Sequence, residues 1–176
     1  MSAASVPVGR WGVYSVFVSH SSLDVALVEA VHEGATAVGV ATYLFEHDKQ
    51  PGNPLVSKLQ QAIDQCQAMV VLLTRNGAVS TYVHQEVGYA LRAGKPVIPL
   101  VEIGVPDSAL NMLGGVEYIR FDPAKPHEAL ATLSSDLGRR AAAHSSRQLQ
   151  GVLIGAGIVT LLLLALTTSP QLAPPT

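Results

Sequence analysis

The chain is short of charge, of cysteine and of aromatic side chains. Its single cysteine, Cys66, excludes an intrachain disulfide, and one free thiol fits a reducing compartment. Charged residues make up only 14% and the net charge is −2. A general nucleic-acid binder would show a basic stripe, so no nucleic-acid partner is expected. The six histidines have no paired metal spacing, and no metal site is expected. No Walker loop occurs, and no GxGxxG follows a strand-like run. His20, Ser21 and Asp24 are triad residue types, but they crowd into one loop with no nucleophile elbow. The opening MSAASVPVGRWG lacks the basic start and apolar core of a signal peptide. Residues 1–10 read as a flexible leader.

Charge is missing altogether after Arg147. The run LQGVLIGAGIVTLLLLALTT, 149–168, reaches ~30 Å as a helix, the thickness of a bilayer core. A buried terminal helix is the competing reading, but such a helix rarely shows LLLL with no polar face. The expectation is therefore a transmembrane helix over 146–169 and a short outer tail over 170–176. Arg139, Arg140 and Arg147 precede the run and no basic residue follows it. The positive-inside rule then keeps the N-terminal part cytoplasmic, giving a single-pass, tail-anchored protein of the inner membrane with the lipid bilayer as a partner. Gly151 and Gly155 give a small-xxx-small spacing that lets two such helices approach.

The remaining residues, 11–145, suit one domain. VYSVFVS (13–19), VATYLFE (40–46), AMVVLLT (68–74), PVIPLVE (96–102) and VEYIRF (116–121) read as strands. Between them lie helical patterns: one after SHSS, with Ser21 or Ser22 as its cap, one from Leu55 after the turn HDKQPGNP, and one within STYVHQEVGYALRAG. Residues 126–147 read as a fourth helix. Strands that are apolar on both faces and alternate with helices predict a five-stranded parallel flavodoxin-like sheet covered on both faces. In such sheets ligands bind at the carboxyl ends of strands, which makes SHSS and TRNG the expected rim. Cys66, just before the purest apolar strand, reads as core.

On the third helix, steps of ~100° place Val79, Val83, Val87, Ala90 and Leu91 on the core face. Glu86 falls on the margin of that face, with Tyr82 and Tyr89 just beyond it. A carboxylate between aromatics at this rim suggests a site; a solvated helix margin is the alternative.

Four segments taken in order carry a resemblance: YSVFVSHSSLD (14–24), the D-x-x-x-G of Asp48 to Gly52, VVLLT (70–74) and STYVHQE (80–86). Together they resemble the signature segments of a TIR domain, over roughly residues 12–140. EVGYALRAGKPVIPLVE (86–102) resembles the prokaryotic branch, many of whose members cleave NAD+ at the nicotinamide–ribose bond. The resemblance implies that Glu86 is the catalytic glutamate. Tyr82 stands where the family carries a tryptophan four residues earlier, and Ser15 replaces an acidic residue common in the first strand. It further implies that Phe17, His20, Ser21 and Ser22 line the rim opposite Tyr82. Asp48 then marks a loop, 46–54, through which neighbouring TIR domains pack.

The chemistry suits a lone carboxylate. Loss of nicotinamide leaves an oxocarbenium-like ribose, and the leaving group needs no proton because it departs neutral from a cationic ring. NAD+ would be a substrate, with no cofactor required. The resemblance implies a membrane-anchored NAD+ glycohydrolase that forms ADP-ribose or a cyclic variant and is activated by self-association. By family habit it would serve bacterial antiphage defence or signalling. A non-catalytic TIR–TIR scaffold is the alternative, and a deoxyribosyltransferase-like enzyme shares the sheet and a glutamate at ribose C1′.

Overall fold

The structure is a computed structural model describing residues 13–45 and 55–167. The loop 46–54, with Asp48 and Gly52, lies outside the described residues, as do the leader 1–10 and the tail 170–176.

Five short strands form one parallel sheet: β1 (Ser15–Ser19), β2 (Ala41–Tyr43), β3 (Ala68–Leu73), β4 (Val97–Glu102) and β5 (Ile119–Phe121). The order β2-β1-β3-β4-β5 is the flavodoxin-like order that the alternation of elements predicts. Strand order reverses at β1, and β3 is its neighbour on the other side, so the loops after β1 and β3 meet at the switch point. The strands are shorter than the sequence suggests, because parallel pairing stops where the connections turn away. Residues 116–118, for example, precede β5 rather than join it.

Helices α1 (Val25–Ala37), α2 (Leu55–Gln65), α3 (Thr81–Arg92) and α4 (His127–Thr167) cover the sheet. Period-2 alternation along β1 divides the core in two. Val16 and Val18 join the cluster beneath α1 and α4, with Val31, Leu133 and Leu137. Phe17 joins the cluster beneath α2 and α3, with Ile63, Val83 and Val87. All six residues of β3 and all six of β4 are buried, as strands sandwiched between helix layers require. Cys66 is 1% exposed, and burial pushes its thiol up to about 11, so it is inert packing rather than a nucleophile. Among the described residues no group of side chains could hold a metal ion.

Helix α4 docks through Ala129, Leu133 and Leu137, and His144 meets the Tyr14 ring edge-on at 5.6 Å. From Ser145 to Gln150 every side chain is exposed, so the helix leaves the domain there. Its backbone continues helical to Thr167, but the side chains of the apolar run from residue 151 lie outside those described. Among the described residues, no helix is long and apolar enough to cross a membrane.

The loop after β3 is fastened to the loop after β1 by one buried carboxylate. Asp24 accepts from the Thr74 hydroxyl at 2.7 Å and from Asn76 Nδ2 at 2.9 Å. Thr74 Oγ1 accepts in turn from the Gly77 N–H at 2.9 Å. Gly77 is so close to β3 that a Cβ there would sit 2.2 Å from the Leu72 carbonyl oxygen. Gly77→Ala should therefore lower unfolding free energy by about 1–3 kcal/mol through overpacking against backbone. Gly88→Ala on α3, where a Cβ meets nothing within 4 Å, should be neutral or stabilise by up to about 1 kcal/mol. Urea denaturation of the two variants beside wild type checks both; equal effects would contradict the crowding at Gly77.

Candidate active site

Helix α3 starts at Thr81 and lies deeper than periodicity suggests. Ser80 is its cap, and its hydroxyl accepts from Val83 N at 3.4 Å. Val79 precedes the helix in a single 3-10 turn, Gly77–Val79, and is 79% exposed. Its expected place on the core face is thereby corrected, since the helical angle does not extend across the turn. Val83, Val87 and Ala90 are fully buried, as expected.

Glu86 is more buried than a helix margin implies, at 8% exposed. The β1 carboxyl end comes up against this turn of α3, and Ser19 Oγ donates to Glu86 Oε2 at 2.5 Å. Burial pushes the Glu86 carboxyl up to about 7, and the Ser19 hydrogen bond pulls it back down in part. The carboxyl is nevertheless open to a ligand, because it lines a cavity of about 750 Å³ between the β1 rim, α2 and α3.

His20, Ser21, Ser22 and Tyr82, which the resemblance groups with Glu86, line that cavity with it. His20 Nδ1 donates to the Val18 carbonyl at 2.8 Å, which fixes its tautomer and ring direction. Neither serine caps α1 in the expected way. Asp24 occupies the cap position and its carboxylate is committed to Thr74 and Asn76, while Ser21 Oγ accepts only from Leu23 N at 3.4 Å. Phe17 is not a rim residue: it is 1% exposed and its ring stacks on Tyr43 at 5.7 Å. It points to the same side as Ser19 but one rung deeper, where the α2 and α3 side chains close over it. Tyr82, 67% exposed, forms part of the outer wall.

The structure adds residues that sequence reading passed over. Ser19 holds the carboxylate; its strand position, two after Phe17, was the available signal. Gln60 from α2 and Gln85, Tyr89 and Arg92 from α3 also line the cavity. The steps 82, 85, 89 and 92 mark one helix face.

Glu86 gives a stability signature. Between pH ~4.5 and about 7 the folded protein keeps a proton that the unfolded chain has lost, so stability falls as pH rises through that window and is level above it. Glu86→Gln removes this penalty. Its stability relative to wild type should grow across the window, by up to roughly 3 kcal/mol, in denaturant unfolding at pH 4.5 and pH 8. A difference that does not vary with pH would overturn the buried-carboxyl assignment.

A sequence profile of the TIR domain matches residues 16–134. No curated protein matches the chain. Among solved structures, the TIR domain of the Toll-related receptor TRR-2 from Hydra magnipapillata aligns with a TM-score of 0.56 at 16% identity, covering 70% of this chain and 98% of that one. The Clostridium botulinum CMP N-glycosidase BcmB aligns with a TM-score of 0.51 at 20% identity, over 68% of this chain and 97% of that one. A TIR-STING receptor from C. gigas gives a TM-score of 0.56 at 20% identity, over 74% of this chain and 42% of that one. These likenesses are of fold.

Proposed function

The chain belongs to the TIR domain family, and on that premise we propose that it is an NAD+ glycohydrolase anchored in a membrane by its C-terminal helix. One observation carries the reading: a buried carboxyl, Glu86, held by Ser19 and open to a nucleotide-sized cavity at the switch point of the sheet. In the reaction the bond from ribose C1′ to the nicotinamide nitrogen breaks. Its electron pair passes to the nitrogen and cancels the ring charge. The ionised Glu86 carboxylate faces the positive C1′, and water adds there and releases a proton. A cationic nicotinamide arriving beside Glu86 itself favours the ionised form.

Loss of the Glu86 carboxylate in Glu86→Gln should lower kcat/KM for nicotinamide release by roughly 10²–10³-fold or more. The wild-type rate should rise with pH through about 7 and level off above, since the ionised carboxylate is the working form. Ser19→Ala should move that inflection upward, because the hydrogen bond it removes lowers the carboxyl. Nicotinamide release from NAD+ by protein assembled on vesicles measures all three. A wild type that stays inert when assembled favours the non-catalytic scaffold.

The same raised carboxyl favours a second reading, cleavage of the N-glycosidic bond of CMP, the activity named for the Clostridium botulinum neighbour. A neutral base leaves more easily when protonated, so that reaction would slow as pH rises through about 7, opposite to NAD+ cleavage.

The membrane reading is supported by the exit of α4 after His144, the continuous helical backbone to Thr167, and the apolar run that follows Arg147. The domain would be cytoplasmic, on the side of Arg139, Arg140 and Arg147. Self-association is supported by apolar side chains left exposed around the rim, Leu23 at 74% and Val79 at 79%. Alkaline carbonate should leave the full-length chain in the membrane pellet; release into the supernatant would sink the anchor.

A further inference from the structure

Glu86 accounts for the acidic side chain of the cavity and leaves the basic one unexplained. From Glu86 to the last residue of α3, Arg92, the helix rises ~9 Å, and Arg92 also lines the cavity. Among the described residues it is the one lysine or arginine that does so. Its guanidinium lies over the Tyr89 ring, 5.4 Å from the centroid. Tyr89 is itself fixed, its hydroxyl donating to Asp64 Oδ2 at 2.8 Å, and it lines the same wall. A guanidinium stacked by its face is steadied while its N–H edge stays available to in-plane acceptors. Planar, two-pronged donation of that kind suits phosphate oxygens. The amide side chains of Gln60 and Gln85 also line the cavity.

In a nucleotide, C1′ and the 5′-phosphorus are separated by a short run of bonds through O4′, C4′, C5′ and O5′. A ribose with C1′ against Glu86 that runs along α3 would bring its 5′ side within reach of the Arg92 side chain. Building on the function proposed above, we propose that Arg92 is the phosphate-binding residue of this cavity, which selects nucleotides over nucleosides for cleavage at C1′.

The test compares nicotinamide release by the full-length chain from NAD+ and from nicotinamide riboside, which has the same scissile bond and no phosphate. Arg92→Gln should raise KM for NAD+ by roughly ten- to a hundredfold, with little change in kcat. Cleavage of the riboside should be unchanged, and Arg92→Lys should recover part of the loss. Equal effects on both substrates, or none on either, would overturn the proposal. A wild type that cleaves neither substrate defeats the proposed function but not this inference, which binding then decides. ADP-ribose binding by calorimetry, weakened at least tenfold by Arg92→Gln while adenosine binding is unmoved, supports the phosphate site. ADP-ribose binding that is absent, or unchanged in the variant, refutes it.

Discussion

A single hydroxyl holds the buried carboxyl of the cavity wall in place. Glu86 is drawn into a wall whose neighbours are Val83, Val87 and Ala90, where a charge is costly. Ser19 Oγ, at the carboxyl end of β1, is the donor that makes the position tolerable. Everything else at the site follows from putting those two residues opposite each other. The parallel order brings the end of β1 to the switch point, the alternation of β1 turns Ser19 toward α3, and the Ser80 cap sets where the turns of α3 begin. The carboxyl then sits close to its own midpoint of titration, a state that burial creates and the hydrogen bond moderates.

A second carboxylate does the opposite work. Asp24 is as buried as Glu86, each at 8% exposed, but each of its oxygens accepts from a side chain, one from Thr74 and the other from Asn76. It is not among the residues that line the cavity, and its acceptors join the two loops that frame it. Glu86 keeps one oxygen on Ser19 and faces open space. Two acids of similar burial thus take different roles because of the number of donors each meets. Arg75 and Glu102 add a peripheral tie at 3.2 Å between the β3 loop and the end of β4.

The architecture was largely legible in the sequence. Five apolar runs alternating with helical patterns give a parallel sheet, and the observed order matches the expected one. The site was legible in part. Glu86, His20, Ser21, Ser22 and Tyr82 do surround one cavity, but periodicity placed Glu86 too near solvent, because a helix angle reports direction and not what packs against it. Val79 was assigned to a helix it precedes, since a 3-10 turn keeps the same local composition. The resemblance implied a rim position for Phe17, and its depth below the strand end is visible only in the packing of α2 and α3 over it. Arg92 was passed over for the converse reason: a charged residue at a helix end reads as solvated until the facing helix is known. The serines of SHSS resembled caps because they stand where caps stand, and only the commitment of Asp24 shows otherwise.

The alternation of β1 has a mechanical consequence. Val16 and Val18 bear the load of α1 and α4 on one side of the strand, while Phe17 and Ser19 support α2, α3 and the Glu86 carboxyl on the other. The strand is also hydrogen-bonded along both edges, to β2 and to β3. A pull or tilt applied to α4 therefore meets a plank clamped at both sides, which spreads the force across the sheet. Both edges of β1 thus share with the neighbouring strands any displacement that α4 passes to the wall of the cavity.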